Sequence, residues 1–341
     1  MAHPPRPAVS RAAILEVLRG HFGVAATELA LLAGGLDEDA RTYRVTVDTG
    51  MELALRLAVG DPRPSAYAAP RRLRDLGADA VVAPLPTTGG QLFVEVHGLT
   101  WSLYPFVEGV DGWTRGMSDS DWRDLGVALR TVHDASPAAL VVRRDAFDVT
   151  PYEALATWDG AVGRSMEPDD PRRGFAEAWQ AHHDAMAATL ERMRVLAAFL
   201  RDRPRNDVLC HGDMHPGNVL FSDAGVHILD WGDVLLAPRE RDFIFVPHQG
   251  ALGVARPLAT SFLSGYGVPP DDIDWPALAY YRCERVLQDV IAWAESVFGR
   301  TGAEDFGPAV HWLLAVFEPG GEVDAVRDAC RHLPPHLDVL R

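Results

Sequence analysis

The segment from Val208 to Asp233 constrains this chain more than any other. The apolar runs Val208-Leu209, Val219-Leu220-Phe221 and Val226-His227-Ile228-Leu229 read as short strands. They bracket the polar string Cys210-His211-Gly212-Asp213-Met214-His215-Pro216-Gly217-Asn218. Asp213, Asn218 and Asp230 then follow in fixed order, a carboxylate, an amide and a second carboxylate, presented at strand ends. Phosphoryl transfer from ATP requires such a set. One carboxylate accepts the proton of an attacking hydroxyl, while the amide oxygen and the other carboxylate hold the Mg²⁺ that neutralises the triphosphate. A rival reading makes His211, Asp213 and His215 ligands of a transition metal, but it leaves Asn218 and Asp230 without roles.

The rest of the chain narrows the class. With 341 residues and 48% hydrophobic composition, it can bury the core of one two-lobed domain or of two small ones. No apolar run approaches the roughly 20 residues that span a bilayer. The start, Met1-Ala2-His3-Pro4-Pro5-Arg6-Pro7, has no apolar stretch of the secretory kind. The cysteines Cys210, Cys283 and Cys330 are odd in number and far apart, so reduced thiols and a cytoplasmic setting are expected, with no membrane partner. The formal net charge is −16, carried almost wholly by residues 104–341. That sign argues against nucleic acid as a partner. It suits a cationic or hydroxylated small molecule, although it also serves solubility alone. All 32 Lys-plus-Arg positions are Arg.

Periodicity predicts a helix over 8–22, with Ile14, Val17, Leu18 and Phe22 on one stripe. Strands are predicted at 31–35, 42–47 and 51–57, and a helix over 64–77 that ends at Gly77. Further strands are predicted at 80–84, 91–96 and 100–104. After the connector Pro105–Gly109, Ser118 with Asp121 forms a capping box for a helix bearing Trp122, Leu125, Leu129 and Val132. Long helices are predicted over 175–200 and 275–298. Trp275, Tyr280, Tyr281 and Trp293 could stack on a sugar ring, but aromatics at helical spacing usually belong to the core. The expectation is an α+β, bilobal architecture. Residues 1–104 form a small, mostly antiparallel sheet lobe for nucleotide, 105–110 a hinge, and 111–341 a large, mainly helical lobe with the catalytic loop and substrate site.

These residues resemble the aminoglycoside phosphotransferase and choline kinase-like family, which shares its fold with protein kinases. His211-Gly212-Asp213-x4-Asn218 matches that family's catalytic loop, and Ile228-Leu229-Asp230-Trp231 its metal-binding strand end. Leu31-x-Ala33-Gly34-Gly35 followed by Tyr43-Arg44-Val45 is similar to its nucleotide loop, and Tyr104–Gly109 to its hinge. Leu125-Gly126-x2-Leu129-Arg130-x2-His133 resembles its first large-lobe helix. Within the family, the segments 104–112, 237–243 and 279–285 with Asp289 are most similar to the spectinomycin phosphotransferase branch.

The resemblance implies a base role for Asp213, a loop-shaping role for His211, and Mg²⁺ ligation by Asn218 and Asp230. It implies nucleotide contacts from Gly34, Gly35, Arg56, Pro105, Phe106 and Val107, and a structural anchor in Asp242. Asp233, Glu284, Arg285 and Asp289 are the candidates to face an acceptor; ion pairing within the fold is the alternative for the last three. Two departures stand out. Arg56 occupies the position of the usual phosphate-gripping lysine, and no Glu lies between Glu52 and Glu95 to partner it. The implied activity is ATP- and Mg²⁺-dependent phosphorylation of a hydroxyl on an aminocyclitol or aminoglycoside antibiotic, conferring resistance. The alternatives are another antibiotic or a metabolite such as homoserine, or a nucleotide-binding pseudokinase. A protein kinase is disfavoured by the short span from Asp230 to Pro238.

Overall fold

The computed structural model describes residues 9–32, 40–60, 62–135, 140–165, 167, 169–246, 257–299 and 305–338. Gly34 and Gly35 lie outside them.

The first helix, α1 (Arg11–Phe22), starts where the Ser10 hydroxyl accepts the Ala13 N–H at 3.2 Å, and it buries Ile14, Val17, Leu18 and Phe22. Next come β1 (Ala26–Leu31), β2 (Ala40–Val47), β3 (Glu52–Ala58), α2 (Ser65–Asp75), β4 (Val94–Val96) and β5 (Leu99–Pro105). The strands form a sheet in the order β1-β2-β3-β5-β4, every pairing antiparallel. In β3 the side chains alternate: Leu53, Leu55 and Leu57 are buried, while Arg56 points to the other face.

Three predicted strands differ. The first was expected at 31–35, but β1 ends at Leu31, paired with Tyr43. Its outer face is exposed, so Thr27 and Glu28 fit within the strand, and the apolar Leu31-Leu32 marks its end instead of its beginning. The stretch 80–84 forms only one bridge, Val81 beside Ile228, flanked by Ile228 N–H to Ala80 O (2.7 Å) and Val82 N–H to Ile228 O (3.0 Å). Pro84 and Pro86 remove the donors that a longer ladder needs. Likewise, only Val94–Val96 of the expected 91–96 strand pairs.

After β5 the chain passes through β6 (Val110–Asp111) and α3 (Gly112–Arg115) into α4 (Asp119–Asp134). The Ser118–Asp121 capping box at the start of α4 is formed. Then follow α5 (Leu155–Arg164), α6 (Arg173–Arg201), β7 (Val208–Cys210), β8 (Val219–Ser222), β9 (Gly225–Ile228) and β10 (Leu235–Ala237). The remaining helices are α7 (Pro257–Tyr266), α8 (Trp275–Phe298), α9 (Gly307–Phe317) and α10 (Glu322–Cys330). β7 pairs with β10, and β8 lies between β6 and β9.

Buried apolar residues form two clusters. One lies between α1 and the sheet, around Leu18, Leu55 and Trp101. The larger joins α4, α6, α8 and α10 around Trp122, Trp179, Tyr280 and Tyr281, so both tyrosines are core residues, 0% exposed. Ala69 and Leu73 of α2 belong to this larger cluster. α4 and α7 cross closely enough that a Cβ on Gly126 would stand 2.3 Å from Phe262 O, so only glycine fits there. That contact brings His133 to Tyr266, with consequences for the site.

Candidate active site

The loop between β7 and β8 is held from below by one buried carboxylate. Asp242 accepts the His211 N–H (2.7 Å) and the Gly212 N–H (2.8 Å). Its Oδ2 also lies 3.0 Å from His133 Nε2, and His133 Nδ1 is 2.8 Å from the Tyr266 hydroxyl. Burial pushes the Asp242 carboxyl up, but His133 and the loop groups together outweigh it and hold the acid below its ordinary value. Gly212 sits at φ 92°, and a Cβ there would meet Asp233 O at 2.3 Å. The loop therefore needs glycine at that point. Arg241 donates from Nε to Gly212 O (3.0 Å) and is ion-paired with Glu284.

His211 spans the loop from inside. Its Nδ1 accepts the Asp213 N–H at 3.3 Å, which leaves the proton on Nε2 to be donated to Leu229 O at 2.7 Å. It thus joins the residue before Asp230 to the backbone of Asp213. Asn218 donates from Nδ2 to Asp213 O (2.9 Å), and its own carbonyl accepts the Leu229 N–H (2.9 Å). With its amide nitrogen engaged, Asn218 keeps Oδ1 for a cation. Asp230 adopts φ 53°, and its side chain is 46% exposed. A non-glycine residue in such a sparsely populated region costs about 1–3 kcal/mol, so the surrounding structure must enforce it.

Opposite this loop stand arginines from the sheet side. Arg56 Nη1 is 3.3 Å from Asp230 Oδ1, and Arg63 Nη1 is 3.0 Å from Asp233 Oδ1. Exposed pairs of this kind contribute about 0–1 kcal/mol, so the carboxylates are readily released to a divalent cation. The oxygen donors of Asn218 and Asp230 suit Mg²⁺, a hard ion, and Arg56 already places a positive charge beside Asp230. Of the residues expected to form the hinge, Pro105 ends β5. The Phe106 N–H donates to Glu52 O (3.2 Å), its ring lies 4.5 Å from the Arg44 guanidinium, and Val107 is half-buried.

On the other side of Asp213 lies α8. Arg285 Nη1 is 3.2 Å from Asp213 Oδ1, and the same guanidinium clasps Asp289 through Nε (3.1 Å) and Nη2 (3.0 Å). His215 Nε2 is 3.5 Å from Asp213 Oδ2, with its ring stacked on Trp113 at 4.4 Å. Burial pushes the His215 imidazolium down more than the Asp213 charge raises it, so the ring is neutral at neutral pH.

The structure thus brings together Asp213, His211, Asn218, Asp230, Arg56, Arg285 and Asp289. Glu284 is buried against Arg241, supporting the loop from behind, and Asp233 pairs with Arg63 on the sheet side. Sequence reasoning missed Arg63, Arg241 and Glu322, which approaches Arg285 at 3.8 Å. No local motif marks Arg63 or Glu322, and Arg241 stands in the 237–243 segment without a role read from it.

Comparison with known proteins bears on this arrangement. Spectinomycin phosphotransferase APH(9)-Ia, solved with ADP and spectinomycin, superposes with a TM-score of 0.83. The two share 23% identity over 95% of this chain and 99% of that one. This likeness shows the α+β, protein-kinase-like fold expected from the sequence. Protein StrN of Streptomyces griseus is 25% identical over 244 residues, 68% of this chain and 73% of that protein. A homoserine kinase of Allorhizobium ampelinum is 30% identical over 138 residues, 40% of this chain but 37% of that enzyme. The description "phosphotransferase enzyme family" (APH) matches residues 30–281. That is most of the chain, from β1 into α8, and the chain belongs to the phosphotransferase enzyme family.

Proposed function

We propose that this phosphotransferase moves the γ-phosphoryl group of ATP to a hydroxyl of an aminocyclitol antibiotic of the spectinomycin kind, and so confers resistance. The observation that carries this reading is the single hydrogen-bonded unit formed by Asp213, His211, Asn218 and Leu229-Asp230. It would hold a carboxylate for the acceptor proton at a fixed offset from the oxygens of Asn218 and Asp230. Asp213 would receive the hydroxyl proton at Oδ1 or Oδ2 as the oxygen–phosphorus bond forms. Asn218 Oδ1 and Asp230 would hold Mg²⁺, which supplies charge neutralisation for the triphosphate. Arg56 would fork onto phosphate in place of lysine. The main chain from Pro105 to Val107 would meet adenine, and residues 1–104 and 111–341 would act as the two lobes. Among the described residues, no helix is long and apolar enough to cross a membrane.

The spectinomycin choice is supported by likeness to a structure solved with that drug across nearly its whole length. The second reading, a homoserine-type acceptor, is favoured by the partial likeness to homoserine kinases. The test is a mass-spectrometric screen of purified protein with Mg·ATP and aminocyclitols, aminoglycosides and small hydroxylated metabolites. A one-phosphate mass gain on spectinomycin is expected. A gain only on homoserine moves the assignment to the second reading, and no gain on any acceptor with ATP still bound overturns both.

A further inference from the structure

Three carboxyl groups converge on the guanidinium of Arg285. Asp213 lies 3.2 Å away, Asp289 is gripped through two nitrogens at 3.0 and 3.1 Å, and Glu322, the first residue of α10, approaches at 3.8 Å. The Phe245 ring lies beneath at 5.2 Å, and the Arg285 side chain is only 24% exposed. Burial first, then the Asp289 charge, pushes the Glu322 carboxyl well above the ordinary range. Glu322 Oε2 is buried without a hydrogen-bond partner, which disfavours the charged form of the acid. With the Glu322 carboxyl raised, the Arg285 guanidinium stands chiefly against the other two carboxyl groups, Asp213 and Asp289. A cluster that reads as acidic in sequence is thus partly neutralised from within.

We propose that Arg285 is a specificity-determining residue: as a resident cation beside Asp213, it fills the place an acceptor ammonium would take. The site then favours acceptors of low positive charge that present hydroxyls, and disfavours polycations. Discrimination of this kind works through an unfavourable contact with the wrong ligand as much as through a favourable one with the right ligand. Each ammonium that an acceptor brings near Asp213 would face the fixed guanidinium in a setting that screens poorly, so a polycation such as kanamycin meets more repulsion than spectinomycin, which carries fewer amino groups. The inference rests on the phosphotransferase reading with a small-molecule acceptor.

The test uses the full chain and equilibrium binding as well as turnover, with spectinomycin and the polycation kanamycin as probes. Arg285→Gln should raise the affinity for kanamycin relative to spectinomycin by at least about tenfold at low salt, and added salt should shrink that gain. Arg285→Lys, which keeps the positive charge, should retain the wild-type preference. A purely structural role would weaken both ligands alike and leave their ratio unmoved, and an unmoved ratio overturns the proposal. If Arg285→Gln does not fold, the pair variant Arg285→Gln/Asp289→Asn removes both partners and reads the same ratio. Failure of the underlying function would look different: no acceptor gains phosphate with the wild type, whatever the binding ratio.

Discussion

Asp242→Asn is the sharpest test of how the loop is held. The carboxylate accepts three hydrogen bonds, one on Oδ1 from Gly212 and two on Oδ2 from His211 and His133. Asparagine keeps one oxygen. In its better orientation it retains the Oδ2 pair and turns an NH₂ toward the Gly212 N–H. Losing one bond to a charged acceptor costs about 1.5–3 kcal/mol. The two remaining bonds become neutral ones, roughly half as strong, which adds about 1–2 kcal/mol. The total, about 3–5 kcal/mol, matches the cost of breaking a buried ion pair. Against a usual stability of about 5–15 kcal/mol, the variant should fold but be weakened. Urea unfolding should show a lower midpoint with an unchanged slope. A loosened Asp213 should cut kcat by about 10–100-fold, with KM for ATP little changed. The folded carboxyl lies below its ordinary value, so its contribution is present above the carboxylate range and lost as pH falls through the folded value. The deficit of the variant should therefore be largest at neutral pH and shrink in acid. A loss below about 1 kcal/mol together with full kcat would refute the anchoring role.

Asp213→Asn should lower kcat by about 10²–10⁴-fold while nucleotide affinity, read by a fluorescent ATP analogue, stays put; near-normal turnover would remove the base assignment. Arg56→Ala should raise KM for ATP roughly tenfold, and Arg56→Lys should recover part of the loss. Unchanged KM and rate in Arg56→Ala would end its phosphate role. Glu322→Gln tests the protonated acid. A carboxyl raised in the fold binds its proton more tightly there than in the unfolded chain, so the wild type loses stability as pH rises through the interval between the two values. The Tm of the variant minus that of the wild type should accordingly grow from pH 5 to pH 8, and a flat difference would contradict the shift.

What the sequence revealed, and what it hid, follows sequence separation. β7, β8 and β9 were readable because turn residues punctuate their apolar runs within a short span, and Asp213, Asn218 and Asp230 inherit their places from those strands. α8 was readable from its apolar periodicity. The first strand was misplaced because the apolar weight of Leu31-Leu32 exceeds that of Thr27-Glu28, although pairing with β2 decides the matter. The 80–84 stretch reads as a strand by composition, and only its neighbour Ile228 and two prolines show why it pairs at one position. Asp242 was read as an anchor, but its partner His133 comes from α4 and meets it only because α4 and α7 cross at a glycine. Arg285 and Glu322 were harder still. The approach of Arg285 to Asp213 and to Glu322 depends on how α8 and α10 pack, and no local pattern encodes that.

The short strand β6 has a mechanical consequence. Val110 and Asp111 are hydrogen-bonded to Phe221 and Leu220 of β8, the strand that begins just after Asn218, and β9 beyond it leads to Asp230. The exit from the connector, Asn218 and Asp230 thus lie on one short ribbon. On its other side the connector is fixed too, since Pro105 belongs to β5 and Phe106 is tied to Glu52. A tilt of the large sheet against the ribbon would be taken up by torsions in Val107-Glu108-Gly109 together with those between Val82, bonded to Ile228 of β9, and Leu85, bonded to Leu103 of β5. The ribbon then works as a gauge block: strand pairing sets the spacing between the connector's end and the pair Asn218 and Asp230.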